Sequence, residues 1–250
     1  MRETENIAVC IGKGGQKDLA ESVARRVGVP LSEKTADGKA NGLTVLIDAS
    51  GVSLVGYGMT YRGDFERMLP RITEGRLQHE MLVHVSKTKE ENPIAIDATA
   101  GMGEDSLLLA AAGYNVTLFE QDPVIAALLK DAMRRAKKNP ILAGVVGRMK
   151  LVEGDSIAIM PTLPEADLIY LDPMFPERQK SGLIGKKLQL IQHLEVPCSD
   201  EEALFDAAVS SNPGKIIIKR PLKGAYLAGH EPQYSVKGKA IRYDCFVFGK

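Results

Sequence analysis

The sequence predicts an α/β fold. A Rossmann-like, mostly parallel sheet carries an antiparallel hairpin at its C-terminal end and follows a small N-terminal α+β unit. Three observations carry that expectation. From residue 93 onward, short apolar runs alternate with helical stretches. The first of those runs ends in a glycine turn, "DATAGMG" (97–103). The chain closes with "QYSVKGKAIRYDCFVFGK" (233–250), which reads as a hairpin.

In chain order, "NIAVCIG" (6–12) reads as a strand and "KDLAESVARRVG" (17–28) as a helix. "LTVLIDASGVSLVGYG" (43–58) reads as two strands joined at 49–51, and "RLQHEMLVHVSK" (76–87) as a helix leading into the main domain. "GKGGQ" (12–16) lacks the Lys-Ser/Thr pair of a phosphate-binding loop and is expected to be a plain loop. These elements make a unit over residues 1–90, a place for substrate recognition. The charged, turn-prone "SKTKEENP" (86–93) marks the boundary, and Pro93 restricts Asn92 to extended backbone.

Over residues 91–250 the alternation is regular. "IAIDATAG" (94–101) is a buried strand, "EDSLLLAAAG" (104–113) a helix stopped by Gly113, and "NVTLFEQD" (115–122) the second strand. "PVIAALLKDAMRRAKKN" (123–139) is an amphipathic helix with Pro123 in its first turn. "MKLVEGD" (149–155), "DLIYLDP" (167–173) and "GKIIIKRP" (214–221) complete the strands, with the helical "DEEALFDAAVS" (200–210) before the last. Apolar strands separated by helices imply a parallel sheet covered on both faces.

Composition narrows the function classes. With 44% hydrophobic residues in 250, the chain can bury a sizeable core. Acidic and basic side chains balance at 32 each, so no overall field draws it to nucleic acid or an anionic membrane, although a local basic face still can. No apolar run spans a bilayer and the N-terminus lacks a signal-peptide core, so a cytoplasmic protein is expected. Cys10, Cys198 and Cys245 are scattered, and the four histidines form no zinc-type cluster, so no metal is expected.

The strand ends point to a cofactor. In an open parallel sheet, ligands sit beyond the carboxyl ends of the strands. Gly101 and Gly103 permit a tight turn and close backbone approach there. Glu120 ends the second strand, followed by Gln121 and Asp122, and can accept both hydroxyls of a ribose. A dinucleotide needs a third glycine where this chain has Ser106, and Glu104 and Asp105 would repel a pyrophosphate at the helix N-terminus. S-adenosylmethionine carries no phosphate, and its amino and sulfonium groups are cationic, so Asp97, Glu104 and Asp105 favour it. Asp155 and Ser156 end the third strand and suit an adenine amino group, or a plain helix cap.

The fourth strand ends in Asp172-Pro173-Met174-Phe175. This resembles the D/N-P-P-Y/F tetrapeptide of methyltransferases that act on amino groups conjugated to a ring or carbonyl. Such an amine is a weak nucleophile because its lone pair is delocalised. A carboxylate and a rigidly aimed backbone carbonyl can accept its two N–H bonds and hold the nitrogen in line. Phe175 offers a face for a planar base.

"DATAGMGEDSLLLAAAGYNVTLFEQDPVIAALL", "YLDPMFPERQKSGL" and "IIIKRP", with the terminal "AIRYDCFVF", resemble the ribosomal RNA small-subunit methyltransferase J family over about residues 93–248. The resemblance implies a class I methyltransferase fold and methylation of the N2 amine of a guanine in 16S rRNA. Its partner would be ribosomal RNA or a small-subunit particle. It places cofactor contacts on Glu104, Asp105, Glu120, Gln121, Asp155, Ser156 and Asp172. Substrate RNA contacts are expected from Lys180, Lys219 and Arg220. Rival readings are methylation of a DNA adenine or protein glutamine, a non-catalytic binding module on the same fold, and an NAD-dependent dehydrogenase.

Overall fold

A computed structural model describes residues 7–32, 42–174, 190–191, 194, 198 and 200–249. Among them are two sheets. The smaller comprises β1 (Ile7–Ile11), β2 (Leu31–Ser32), β3 (Leu43–Asp48), β4 (Gly51–Gly56) and β5 (Met59–Tyr61), in the order β2-β1-β3-β4-β5. Helix α1 (Lys17–Val27) connects its first two strands. The segment at 12–16 is a plain turn whose backbone bonds to β3 and the residue after it, Gly12 N–H to Ile47 and Ala49 N–H to the Lys13 carbonyl.

Short helices α2 (Leu69–Ile72) and α3 (Met81–Val85) lead to the larger sheet. The expected continuous helix over 76–87 is instead a 3-10 turn at Leu77–His79 followed by α3. Glu80 breaks it with extended backbone, and its carboxylate takes the guanidinium of Arg71 in two bonds of 2.8 and 2.7 Å. By packing, Phe65, Met68, Leu82 and Val85 join the core of the larger sheet.

That sheet contains β6 (Ile94–Asp97), β7 (Asn115–Glu120), β8 (Met149–Glu153), β9 (Leu168–Leu171), β10 (Lys215–Pro221), β11 (Tyr234–Lys237) and β12 (Ile241–Val247). Its order is β11-β12-β10-β9-β6-β7-β8. The five strands from β10 to β8 are parallel, and β11 and β12 run antiparallel at one edge. The chain leaves β6 toward β7 on one side and returns as β9 on the other. That reversal opens a crevice at the carboxyl ends of β6 and β9.

Strand periodicity divides the core. Leu168 and Tyr170 of β9 face one cluster with α4 (Glu104–Ala111), while Ile169 and Leu171 face another with α8 (Glu201–Ser210). Helix α5 (Pro123–Ala136) begins at an Asp122 cap that accepts from Val124 and Ile125 N–H, both at 2.9 Å. It ends three residues before Asn139. Pro140 keeps Asn139 extended, and the Asn139 side chain caps a separate helix, α6 (Pro140–Val146). Helix α7 (Ser156–Ile159) follows β8. No described helix is long and apolar enough to cross a membrane.

Candidate active site

A cavity of about 570 Å³ opens over the carboxyl ends of β6, β7, β8, β9 and β10. That volume lies within the range of small-molecule and cofactor sites. The turn after β6 forms its floor. Gly101 and Gly103 have φ of 53° and 73°, left-handed values that favour glycine. A Cβ on Gly103 would meet Leu129 Cδ1 at 2.8 Å, so the turn is also packed against α5.

Glu120 holds this turn from the end of β7. Its carboxylate accepts from Gly101 N–H at 3.1 Å and from Asp122 N–H at 2.7 Å. Gln121 lines the cavity beside it. At the end of β8, Asp155 accepts from Ile157 N–H at 2.9 Å and caps α7, and Ser156 is buried below. Both the cap and the cavity-lining position are therefore realised in the same residue.

Asp97 ends β6 almost fully buried. Its carboxyl accepts from Ser106 Oγ at 2.5 Å and Thr99 N–H at 3.1 Å. Burial pushes it up to about 7; the two hydrogen bonds pull it down, and Asp105 and Asp172 add to the rise. Asp105, in the first turn of α4, accepts from Tyr170 Oη at 2.6 Å and Lys219 Nζ at 2.7 Å. Lys219 also lies 2.9 Å from Asp172 Oδ2. Desolvation works against the Lys219 charge, but Asp172 and Asp105 outweigh it and hold the ammonium well above its ordinary value. Glu104 lines the cavity next to them.

Asp172 and Pro173 lie at the cavity wall where the chain leaves β9. The Asp172 N–H donates to Thr99 Oγ1 at 2.6 Å. Phe175 and Lys180 lie outside the described residues.

Two sequence expectations meet different surroundings. Arg220 was expected at the RNA surface, but it is 4% exposed. Its guanidinium bonds to the Ala225 carbonyl at 2.8 Å and Glu201 at 3.3 Å, bracing the turn after β10. Adjacent strand residues face opposite sides, so only Lys219 of the pair enters the cavity. Lys219 in turn bonds inward to two carboxylates, Asp105 and Asp172.

Sequence reasoning missed Thr99, Ser106, Tyr170, Tyr243 and Arg71. Tyr170 had a usable signal, since it precedes Asp172 by two on a strand and so shares its side. Tyr243 lies opposite Lys219 in the β10–β12 register, a pairing that no local pattern encodes.

The donor set suits a cationic cofactor. Carboxylates rim the cavity, the turn leaves room beside Gly101, and α4 opens with two acids where a pyrophosphate would need a bare N-terminus.

Comparison with known proteins decides the family. The family model described as "Putative SAM-dependent methyltransferase" matches residues 63–248. Ribosomal RNA small subunit methyltransferase J of Thioalkalivibrio sulfidiphilus is 34% identical, over 93% of this chain and 94% of its own. The protein of the same name from Nitrosococcus oceani is 32% identical, over 97% of this chain and 99% of its own. The chain belongs to the ribosomal RNA small-subunit methyltransferase J family. Its cofactor is S-adenosylmethionine, and it is a methyltransferase of the Rossmann-like class. The crystal structure of the SAM-dependent methyltransferase NGO1261 from Neisseria gonorrhoeae superposes with a TM-score of 0.76 at 29% identity. It covers 96% of this chain and 95% of that one. Likeness to this family thus reaches well before residue 93, through the small sheet.

Proposed function

We propose that this family member methylates the exocyclic N2 amine of a guanine in 16S rRNA, as free RNA or in a small-subunit particle, in the cytoplasm. The relatives' shared name supports the RNA, and one local observation supports the amine. Asp172 and Pro173 stand at the cavity wall, with the Asp172 backbone tied to Thr99 and its side chain tied to Lys219.

S-adenosylmethionine, when bound, supplies a methyl group activated by its sulfonium. Asp97, Gly101, Gly103, Glu104, Asp105, Glu120, Gln121, Asp155, Ser156 and Asp172 are the residues proposed to hold it. Asp172 and the Pro173 carbonyl each accept one N–H of the amine, which aims the nitrogen lone pair. Forming the C–N bond would break the methyl–sulfonium bond, with S-adenosylhomocysteine as the leaving group; the nitrogen then sheds a proton, and Asp172 is placed to accept it. Phe175 is assigned the face of the base and Lys180 a phosphate. The guanine must be turned out of its stack to reach this depth. Tyr61 of β5 lines the same cavity, which gives the unit over residues 1–90 a route to the substrate.

Nucleoside mass spectrometry of 16S rRNA from a deletion strain tests this reading. N2-methylguanosine should fall and return with the wild-type gene; unchanged rRNA overturns it. Asp172→Asn should restore little methylation and lose roughly 100-fold in kcat with modest change in cofactor affinity.

A further inference from the structure

We propose that Lys219 is a positioning residue that fixes the Asp172 carboxylate in its ionised, amine-accepting form, and is not a ligand of RNA phosphate. The inference rests on the role of Asp172 proposed above.

The geometry is that of a bridge. Lys219 Nζ sits 2.7 Å from Asp105 Oδ2 and 2.9 Å from Asp172 Oδ2. Tyr170 Oη donates to the same Asp105 oxygen at 2.6 Å, which locks the far pier of the bridge to β9. The near pier is locked by Thr99, which takes the Asp172 N–H. Side chain and main chain of Asp172 are therefore fixed from separate elements. The Lys219 side chain is 23% exposed and its ammonium is already engaged by two carboxylates, which offset the charge it would offer a phosphate.

Charge gives the bridge its purpose. Asp97, Asp105 and Asp172 converge here from β6, α4 and the end of β9, with Glu104 lining the same cavity. Tyr170 and Tyr243 face the cluster as neutral phenols, held so by burial and then by Asp105. Arg71 approaches from α2 but is bound to Glu80. Arg220 of β10 also feels the Asp172 charge, but its guanidinium bonds to the Ala225 carbonyl and Glu201, whereas Lys219 contacts two of the three aspartates directly. Without it, the neighbouring carboxylates would drive a proton onto Asp172 at higher pH. A protonated carboxyl offers a donor where the amine needs an acceptor.

The test is steady-state methylation of 30S subunits from a deletion strain, at saturating S-adenosylmethionine, across pH 5.5 to 9. Lys219→Met should lower kcat by roughly 10–100-fold. It should also shift the acid limb of the kcat profile upward by about one pH unit or more. The KM for subunits and its salt dependence should stay near wild type. Asp105→Asn removes a repelling carboxylate and should move the limb the other way. Lys219→Arg should return the limb toward its wild-type position. If Lys219→Met does not fold, the latter two variants decide the matter, and an unmoved limb in Asp105→Asn overturns the proposal. So does a Lys219→Met enzyme with wild-type kcat and pH profile but a raised KM and a flattened salt dependence, the signature of a lost phosphate contact. Wild-type turnover in Asp172→Asn would instead remove the Asp172 reading itself.

Discussion

Asp97 couples burial to ligand charge. The folded chain raises its carboxyl from 3.8 to about 7, through burial first and its acidic neighbours last. Between those two values the folded state binds a proton that the unfolded state does not. Stability contributed at this position is therefore present at low pH and falls as pH rises through that window. A cationic ligand group beside Asp97 reverses the preference, because it favours the carboxylate. Binding of S-adenosylmethionine should then release a proton and tighten with pH, by roughly fivefold or more between pH 6 and 7.5. Asp97→Asn keeps the Ser106 and Thr99 contacts within reach and should flatten that dependence. Calorimetry in buffers of different ionisation enthalpy reads both effects. Equal proton release by the variant would assign the titration to another group.

The turn between β6 and α4 shows how an element delivers such residues. Its two left-handed glycines reverse the chain within a few residues, so Glu104 and Asp105 begin a helix directly over the strand ends. Gly103→Ala adds a strained left-handed residue and a Cβ pressed on Leu129. It should cost about 1–2 kcal/mol from backbone strain alone. A lower melting temperature should come with weaker cofactor binding; unchanged values for both would show that the turn tolerates a side chain. Much of this element was legible in sequence, since the switch from strand to helix locates Asp97, Glu120, Asp155 and Asp172 at one end of a parallel sheet. Partnerships across the sheet were not. That Lys219 meets Asp105 and Asp172, and Arg220 turns to Glu201, depends on which side of β10 faces the cavity, a fact set by packing. Likewise the break at Glu80 coincides with a salt bridge to Arg71, a pairing that helical periodicity over 76–87 does not encode.

At the scale of the molecule, α5 belongs to both cores. Leu129, Ala132 and Met133 pack with the seven-stranded sheet, while Val124, Ile125, Ala127 and Leu128 pack with the five-stranded one. Polar contacts tie the same helix across. Asp131, with its side chain 2% exposed, accepts from Val52 N–H of β4 at 3.1 Å and pairs with Arg134 and Arg135, while Arg135 reaches the Gly63 carbonyl. Arg26 of α1 and Lys130 of α5 meet at Glu153, where β8 ends above the cavity. Burial would raise Asp131, but its arginines and the Val52 N–H prevail and lower it. Its contribution is thus full above 3.8 and is lost as pH falls through the lower folded value. Asp131→Ala leaves the Val52 N–H without that partner, a loss of about 1–3 kcal/mol, with a smaller share from Arg134 and Arg135, whose guanidinium groups reach solvent. Because α5 is shared, the lower melting temperature should appear as one transition, with hydrogen exchange rising in β4 and β7 together. Its deficit against the parent protein should shrink toward acid pH, where the parent loses the same interaction. Faster exchange confined to the small sheet, with the large sheet still protected at its original melting temperature, would mean that α5 merely supports the N-terminal unit and that methyl-transfer geometry does not depend on it.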